Sequence, residues 1–156
     1  MFYLVLKELI EGEIMFDRFD KYLSGFESDD YAMDYWYDEG VEYAQKMLNH
    51  FNDRDWMALR EACPSRTIGW KKRLAYCLHD GSSIVQFQLL LLLSETYDIE
   101  LFELVVDSLR EFRNGNFIEL LRVTPNLVNR IEELLPNASF PIRKVFEEFI
   151  KLVSTK

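Results

Sequence analysis

Between Glu27 and Tyr43 the chain carries seven acidic residues, five aromatics and no basic residue. On a helix Asp30, Asp34 and Asp38 recur every four residues and share a face, which Tyr31, Asp34, Tyr35, Asp38 and Glu42 extend by threes and fours. Like charges at that spacing repel by about a few tenths of a kcal/mol per pair, and nothing basic within the stretch relieves them. Carboxylates placed this way suit a cationic partner, standing where phosphates would stand. Tyr and Trp add large apolar area with a polar tip, a combination enriched at protein interfaces. The residues expected to make such a contact are Asp29, Asp30, Tyr31, Asp34, Tyr35, Trp36, Asp38, Glu39 and Glu42. In the competing arrangement Met33, Trp36, Tyr37, Val41 and Ala44 form a buried face, and the acids simply face water.

Other chemistry finds less support. His50 and His79 are the only histidines, and neither has a second ligand at a metal spacing. No nucleophile elbow, phosphate loop or dinucleotide fingerprint occurs, and the calcium-loop pattern is missing around Ser28, Asp29 and Asp30. Gly69, Gly81 and Gly115 read as turn glycines. Carboxylate pairs are so plentiful that no single pair is informative. Lys71, Lys72 and Arg73 are the one basic cluster, expected to pair with the acidic helix or face water. Cys63 and Cys77 match no metal spacing and are expected as reduced core residues in a reducing compartment. The expectation is a protein that is not an enzyme and holds neither metal nor cofactor.

The elements that must position these residues are helical. The chain has 156 residues, 49% apolar, with six Gly and four Pro. That is one domain's length, with too little turn punctuation for a β-sandwich. Apolar spacings of three and four predict a helix from about Phe2 to Leu23, stopped by Ser24-Gly25. A second, capped by Ser28, Asp29 or Asp30, runs to about Asn49, and a third, capped by Asp53 or Asp55, ends at Pro64. Further helices are predicted over Ile68–Leu78, Ile84–Leu93, Ile99–Phe112, Phe117–Val123 and Leu127–Leu135, with a last one near Pro141–Val153. The Leu89–Leu93 run is expected at the centre of the core and is far shorter than the ~20 residues of a membrane span. The start of the chain lacks the basic region of a signal peptide, so a cytoplasmic location is expected. Residues 1–62 hold fifteen acids and six bases, while 63–156 hold twelve of each, so the whole net charge of −9 sits in the first part. Such a surface repels nucleic acid and attracts a basic protein.

Trp70–Leu78 and Leu101–Leu109 both place large apolar residues first, fifth and ninth, at an offset of 31 residues, and Ile142–Ile150 repeats the apolar ends. Helix pairs recurring at this period mark α-solenoids. Over roughly residues 66–112 the chain resembles small HEAT-like immunity proteins encoded beside bacterial toxins, including contact-dependent inhibition systems. The resemblance implies an all-α fold. Acidic N-terminal helices over 1–62 would lead into a short HEAT-like array over 66–153 in a single domain. It also implies an immunity protein that covers the active site of a cognate toxin, a basic nuclease. The alternative is a helical adaptor that holds a non-toxic partner on a concave face.

Overall fold

A computed structural model describes residues 14–26 and 34–154. Among these the fold is all-α, with no strand. Its helices are α1 (Met15–Ser24), α2 (Val41–Leu48), α3 (Asp53–Ala62), α4 (Ile68–Cys77), α5 (Ile84–Leu93), α6 (Ile99–Leu109), α7 (Gly115–Arg122), α8 (Pro125–Leu134) and α9 (Phe140–Ser154). None of them is long and apolar enough to cross a membrane. Contacts divide the chain into two compact units, Met1–Cys77 and Leu78–Lys156.

The first unit is built around α1, which packs on α2, α3 and α4. Phe16, Phe19 and Leu23 fall on one stripe of α1 and are buried, as the spacing of three and four requires. Leu59, Trp70 and Leu74 are also among the fully covered side chains of the unit. Three polar contacts fix how the helices meet. The Asp55 carboxylate, 2% exposed, accepts from the Asn52 N–H at 3.0 Å and from the Phe16 N–H at 3.0 Å. It thereby satisfies the free N–H groups at the starts of both α3 and α1. The true cap of α3 is Asn52, whose side chain accepts from the Asp55 N–H. The expected cap was Asp53 or Asp55; Asp53 is exposed one position inside the helix. At the other end of α1, the buried Arg73 donates from Nε to the Leu23 carbonyl at 2.8 Å. A cation there meets the negative end of the helix dipole. Of the two expectations for Arg73, facing water is excluded: its helical position turns it inward. Arg66 grips Asp20 of α1 with two bonds of 2.8 Å each, the planar two-pronged pairing of a guanidinium with a carboxylate.

In the second unit α6 is central, packing on α5 and α9. Leu101, Phe102, Val105, Val106 and Leu109 are buried along it. Leu89, Leu90 and Leu93 of α5 are buried while Leu91 and Leu92 are half-buried, so the leucine run supplies one packed face and α6 holds the centre. Ser83 and Asp98 cap α5 and α6 as their positions predict. α8 begins at Pro125, after Thr124, two residues before the expected Leu127. Gly81 lies in a turn, and a Cβ on it would run into the Glu111 carbonyl oxygen, so only glycine allows this approach. Gly69 is not in a turn: it lies inside α4, with the Arg73 guanidinium 3.4 Å from where its Cβ would be.

The two members of the sequence repeat fall in different units, since α4 closes the first and α6 lies in the second. Within the second, α9 folds back on both α6 and α7, whereas a solenoid helix contacts its neighbours in sequence. HEAT-like stacking is not established by these contacts.

All three tryptophans, Trp36, Trp56 and Trp70, belong to the first unit, so tryptophan fluorescence follows its unfolding. Asp55→Ala leaves two helix starts without an acceptor and is expected to destabilise this unit by about 2–4 kcal/mol in urea titration. Asp53→Ala is expected to change it by less than about 0.5 kcal/mol. Equal losses from the two variants would show that the shared cap is not what joins the helices.

Candidate functional site

From Asp34 the chain is helical, and over Trp36–Gly40 it makes a π turn, closed by the Val41 N–H donating to the Trp36 carbonyl. A π turn closes over five residues where an α turn closes over four, so it inserts one residue. Twelve positions separate Trp36 from Leu48. With one taken by the insertion, the remaining eleven make about three turns. Trp36, Gly40, Ala44 and Leu48 therefore lie on one side, and all four are buried. In an unbroken α-helix Leu48 would stand about 120° away from Trp36.

Because this segment advances about four residues per turn, each side chain column repeats every fourth position. Asp34, Asp38 and Glu42 occupy the column opposite the buried one and are exposed. Tyr35, Glu39 and Tyr43 form the column on one flank. Tyr37 begins the column on the other. Tyr35, Tyr37 and Tyr43 are 47%, 54% and 52% exposed. The result is a ridge of carboxylates with phenol rings on both sides.

The rings are held from beneath. Tyr35 stacks on Phe26 at 6.2 Å and 14°, Tyr43 lies 4.8 Å from Tyr22, and Tyr22 and Phe26 meet edge to face at 5.2 Å. On the other flank Tyr37 meets Tyr76 nearly at right angles, with centroids 5.5 Å apart. Gly40 makes the arrangement possible. A Cβ there would lie 2.8 Å from Cε3 of Trp36 and 3.2 Å from Cζ of Phe26, inside contact distance of two buried rings.

Of the residues expected to bind a partner, Asp34, Tyr35, Asp38, Glu39 and Glu42 are brought together on this exposed surface. Trp36 is not among them. It is 0% exposed, because the π turn aims it at Phe26, 5.1 Å away. It belongs to the buried face, with Ala44, whereas Tyr37 of that predicted face is exposed. Asp29, Asp30, Tyr31 and Met33 lie outside the described residues. Tyr37 and Tyr43 are additions that the sequence concealed. The signal that would have found them is the period of four in Trp36, Gly40, Ala44 and Leu48.

Electrostatically the ridge has little internal compensation. Lys46 pairs with Glu42 at 3.2 Å with both side chains largely exposed, a contact worth at most about 0.5 kcal/mol. Burial of the Tyr22 hydroxyl, with Tyr35 and Tyr43 close by, pushes its pKa up to about 12. Burial pushes the Cys63 thiol up to about 11, opposed by Lys71 and Arg66, and raises Cys77 further. Both thiols are free and buried, which leaves them protonated and poor nucleophiles at neutral pH. Among the described residues no group of three His, Cys, Asp or Glu could hold a metal ion. A separate cavity of about 340 Å³ in the second unit is lined by Arg110, Arg113, Glu148, Lys151 and Leu152. There Arg110 is already paired with Asp107 and Glu148.

No known protein family, no curated protein and no solved structure matches this chain.

Gly40→Ala is expected to destabilise the first unit by about 1–3 kcal/mol by forcing the Trp36 and Phe26 rings apart, read by tryptophan fluorescence in urea. An unchanged midpoint would mean that the rings do not depend on the bare glycine. Tyr22 ionises near pH 10 when unfolded and near 12 in the fold. Its contribution to stability is therefore complete below about pH 10 and lost as pH rises towards 12. Tyr22→Phe should lose less stability than the parent across that window when both are titrated with urea at each pH.

Proposed function

We propose that this chain acts by binding a basic protein through the carboxylate ridge and its flanking tyrosines, rather than by catalysis. In the form its sequence resemblance suggests, it is an immunity protein. It would neutralise a cognate bacterial toxin, a basic nuclease domain, by covering the active site. The observation that supports this most is the exposure of Asp34, Asp38 and Glu42 together with Tyr35, Tyr37 and Tyr43 on one segment. Charge alone would make a solvated surface. Three half-exposed tyrosines held at fixed positions make an apolar contact area at low entropic cost as well. The net charge of −9, all of it arising within residues 1–62, would steer a cationic partner to this part of the chain. An inhibitor of a catalytic toxin benefits from that steering, because fast association limits the damage done before capture.

The neighbouring reading frames, expressed with a tagged copy of the full chain, provide the test. A toxic neighbour that co-purifies and whose growth inhibition is relieved is the expected outcome. A stable but harmless partner would replace the immunity reading with that of an adaptor. With the partner in hand, Asp34→Lys with Asp38→Lys is expected to slow association about tenfold or more at low salt and to flatten its salt dependence. Unchanged rate and salt dependence would remove the ridge from the interface.

A further inference from the structure

We infer that the side chains this surface is built to hold are arginines in preference to lysines. The inference rests on the ridge being the binding surface and adds the chemistry of what it binds. Among the described residues Asp34 and Asp38 have no ion-pair partner, and both are exposed on the column pointing away from the core. Phenol rings stand one position to either side. One face of the Tyr35 ring is taken by Phe26, stacked at 14°, and with the residue 47% exposed the ring also presents surface to solvent. Tyr37, 54% exposed, is held nearly perpendicular to Tyr76.

A guanidinium matches this layout in two ways at once. Its flat fork pairs with a carboxylate through two parallel bonds, and its plane can lie over an adjacent aromatic ring. An ammonium ion can take the carboxylate, but it is a more strongly hydrated point charge and gains less from the ring. Spacing suggests how several cations could be read together. Successive ridge carboxylates are one turn apart, about 5–6 Å along the axis. Alternate residues of an extended segment are about 6.6 Å apart. A partner segment with arginine at every second position would set one guanidinium against each of Asp34, Asp38 and Glu42, with Tyr35 and Tyr37 beside them.

Two end-blocked peptides test this: one with arginines alternating with alanines, the other with lysines at the same positions. Each is titrated calorimetrically into the full chain. The arginine peptide is expected to bind about three- to tenfold more tightly, the range that one or two exposed cation–ring contacts supply. Tyr37→Leu should bring its affinity down towards that of the lysine peptide while leaving the lysine peptide almost unchanged. Asp34→Asn with Asp38→Asn should weaken both. Tyr37 carries this test because its substitution leaves the Phe26 stack in place, and circular dichroism checks that the fold is kept. Equal affinity for the two peptides, or a preference that Tyr37→Leu does not reduce, would overturn the arginine inference while leaving the acidic surface as a binding site. Binding of neither peptide would overturn both.

Discussion

The hydrogen bond from the Val41 N–H to the Trp36 carbonyl spans one residue more than an α-helix allows, and the presentation of the acidic surface depends on it. The inserted residue changes the repeat from 3.6 to about four residues per turn. That change keeps Trp36, Gly40, Ala44 and Leu48 on one side, and it aligns the carboxylates opposite them. A π turn has weaker internal bonding than an α turn and persists only where packing favours it. Here the packing is two aromatic rings seated on a glycine. The core and the outer surface are thus set by the same local geometry.

Support for that segment comes from charges used inside the first unit rather than on its surface. Asp55 serves the starts of two helices and Arg73 the end of one. Each buried charge meets the helix terminus whose dipole suits it, which offsets the large cost of removing it from water. Arg66 ties α1 to the loop before α4 through Asp20. The acids and bases that look alike in composition therefore divide into two populations. One is fixed in the interior and joins helices. The other, on the ridge, is left to solvent and to whatever binds there.

The helices were legible in the sequence because their apolar spacing, Pro positions and several caps are local signals. Ser83 and Asp98 stand where a cap must stand, and Pro141 lies in the first turn of the last helix. Long-range partnerships left no such mark. Nothing near Asp55 in sequence announces that it accepts from Phe16, and the basic run at Lys71 gives no sign that Arg73 turns inward. The cap of α3 is Asn52, one residue before Asp53, where several polar residues that can cap stand close together. The acidic and aromatic character of the site was plain, but its geometry was not. Trp36 was placed among the contact residues for its aromatic type rather than its position, and the π turn that sets the columns, with Tyr37 and Tyr43 flanking the acids, has no local mark in the sequence. The repeat between Trp70–Leu78 and Leu101–Leu109 shows a related limit. Helices of similar amphipathic pattern share a spacing whether or not they stack on each other.

An inserted residue in a helix is a degree of freedom for evolution. Loss of one residue between Trp36 and Gly40 would leave a continuous α-helix, with no break in the backbone, whose two ends are rotated by about 100° relative to each other. Substitutions along the ridge adjust what it attracts, one charge or ring at a time. A single-codon deletion would do something of another kind, turning the part of the displayed column before the break away from the part after it. Lineages descended from one such ancestor can therefore diverge in partner by changing length before they change composition, and their divergence would register as a gap in an alignment rather than as a run of mismatches.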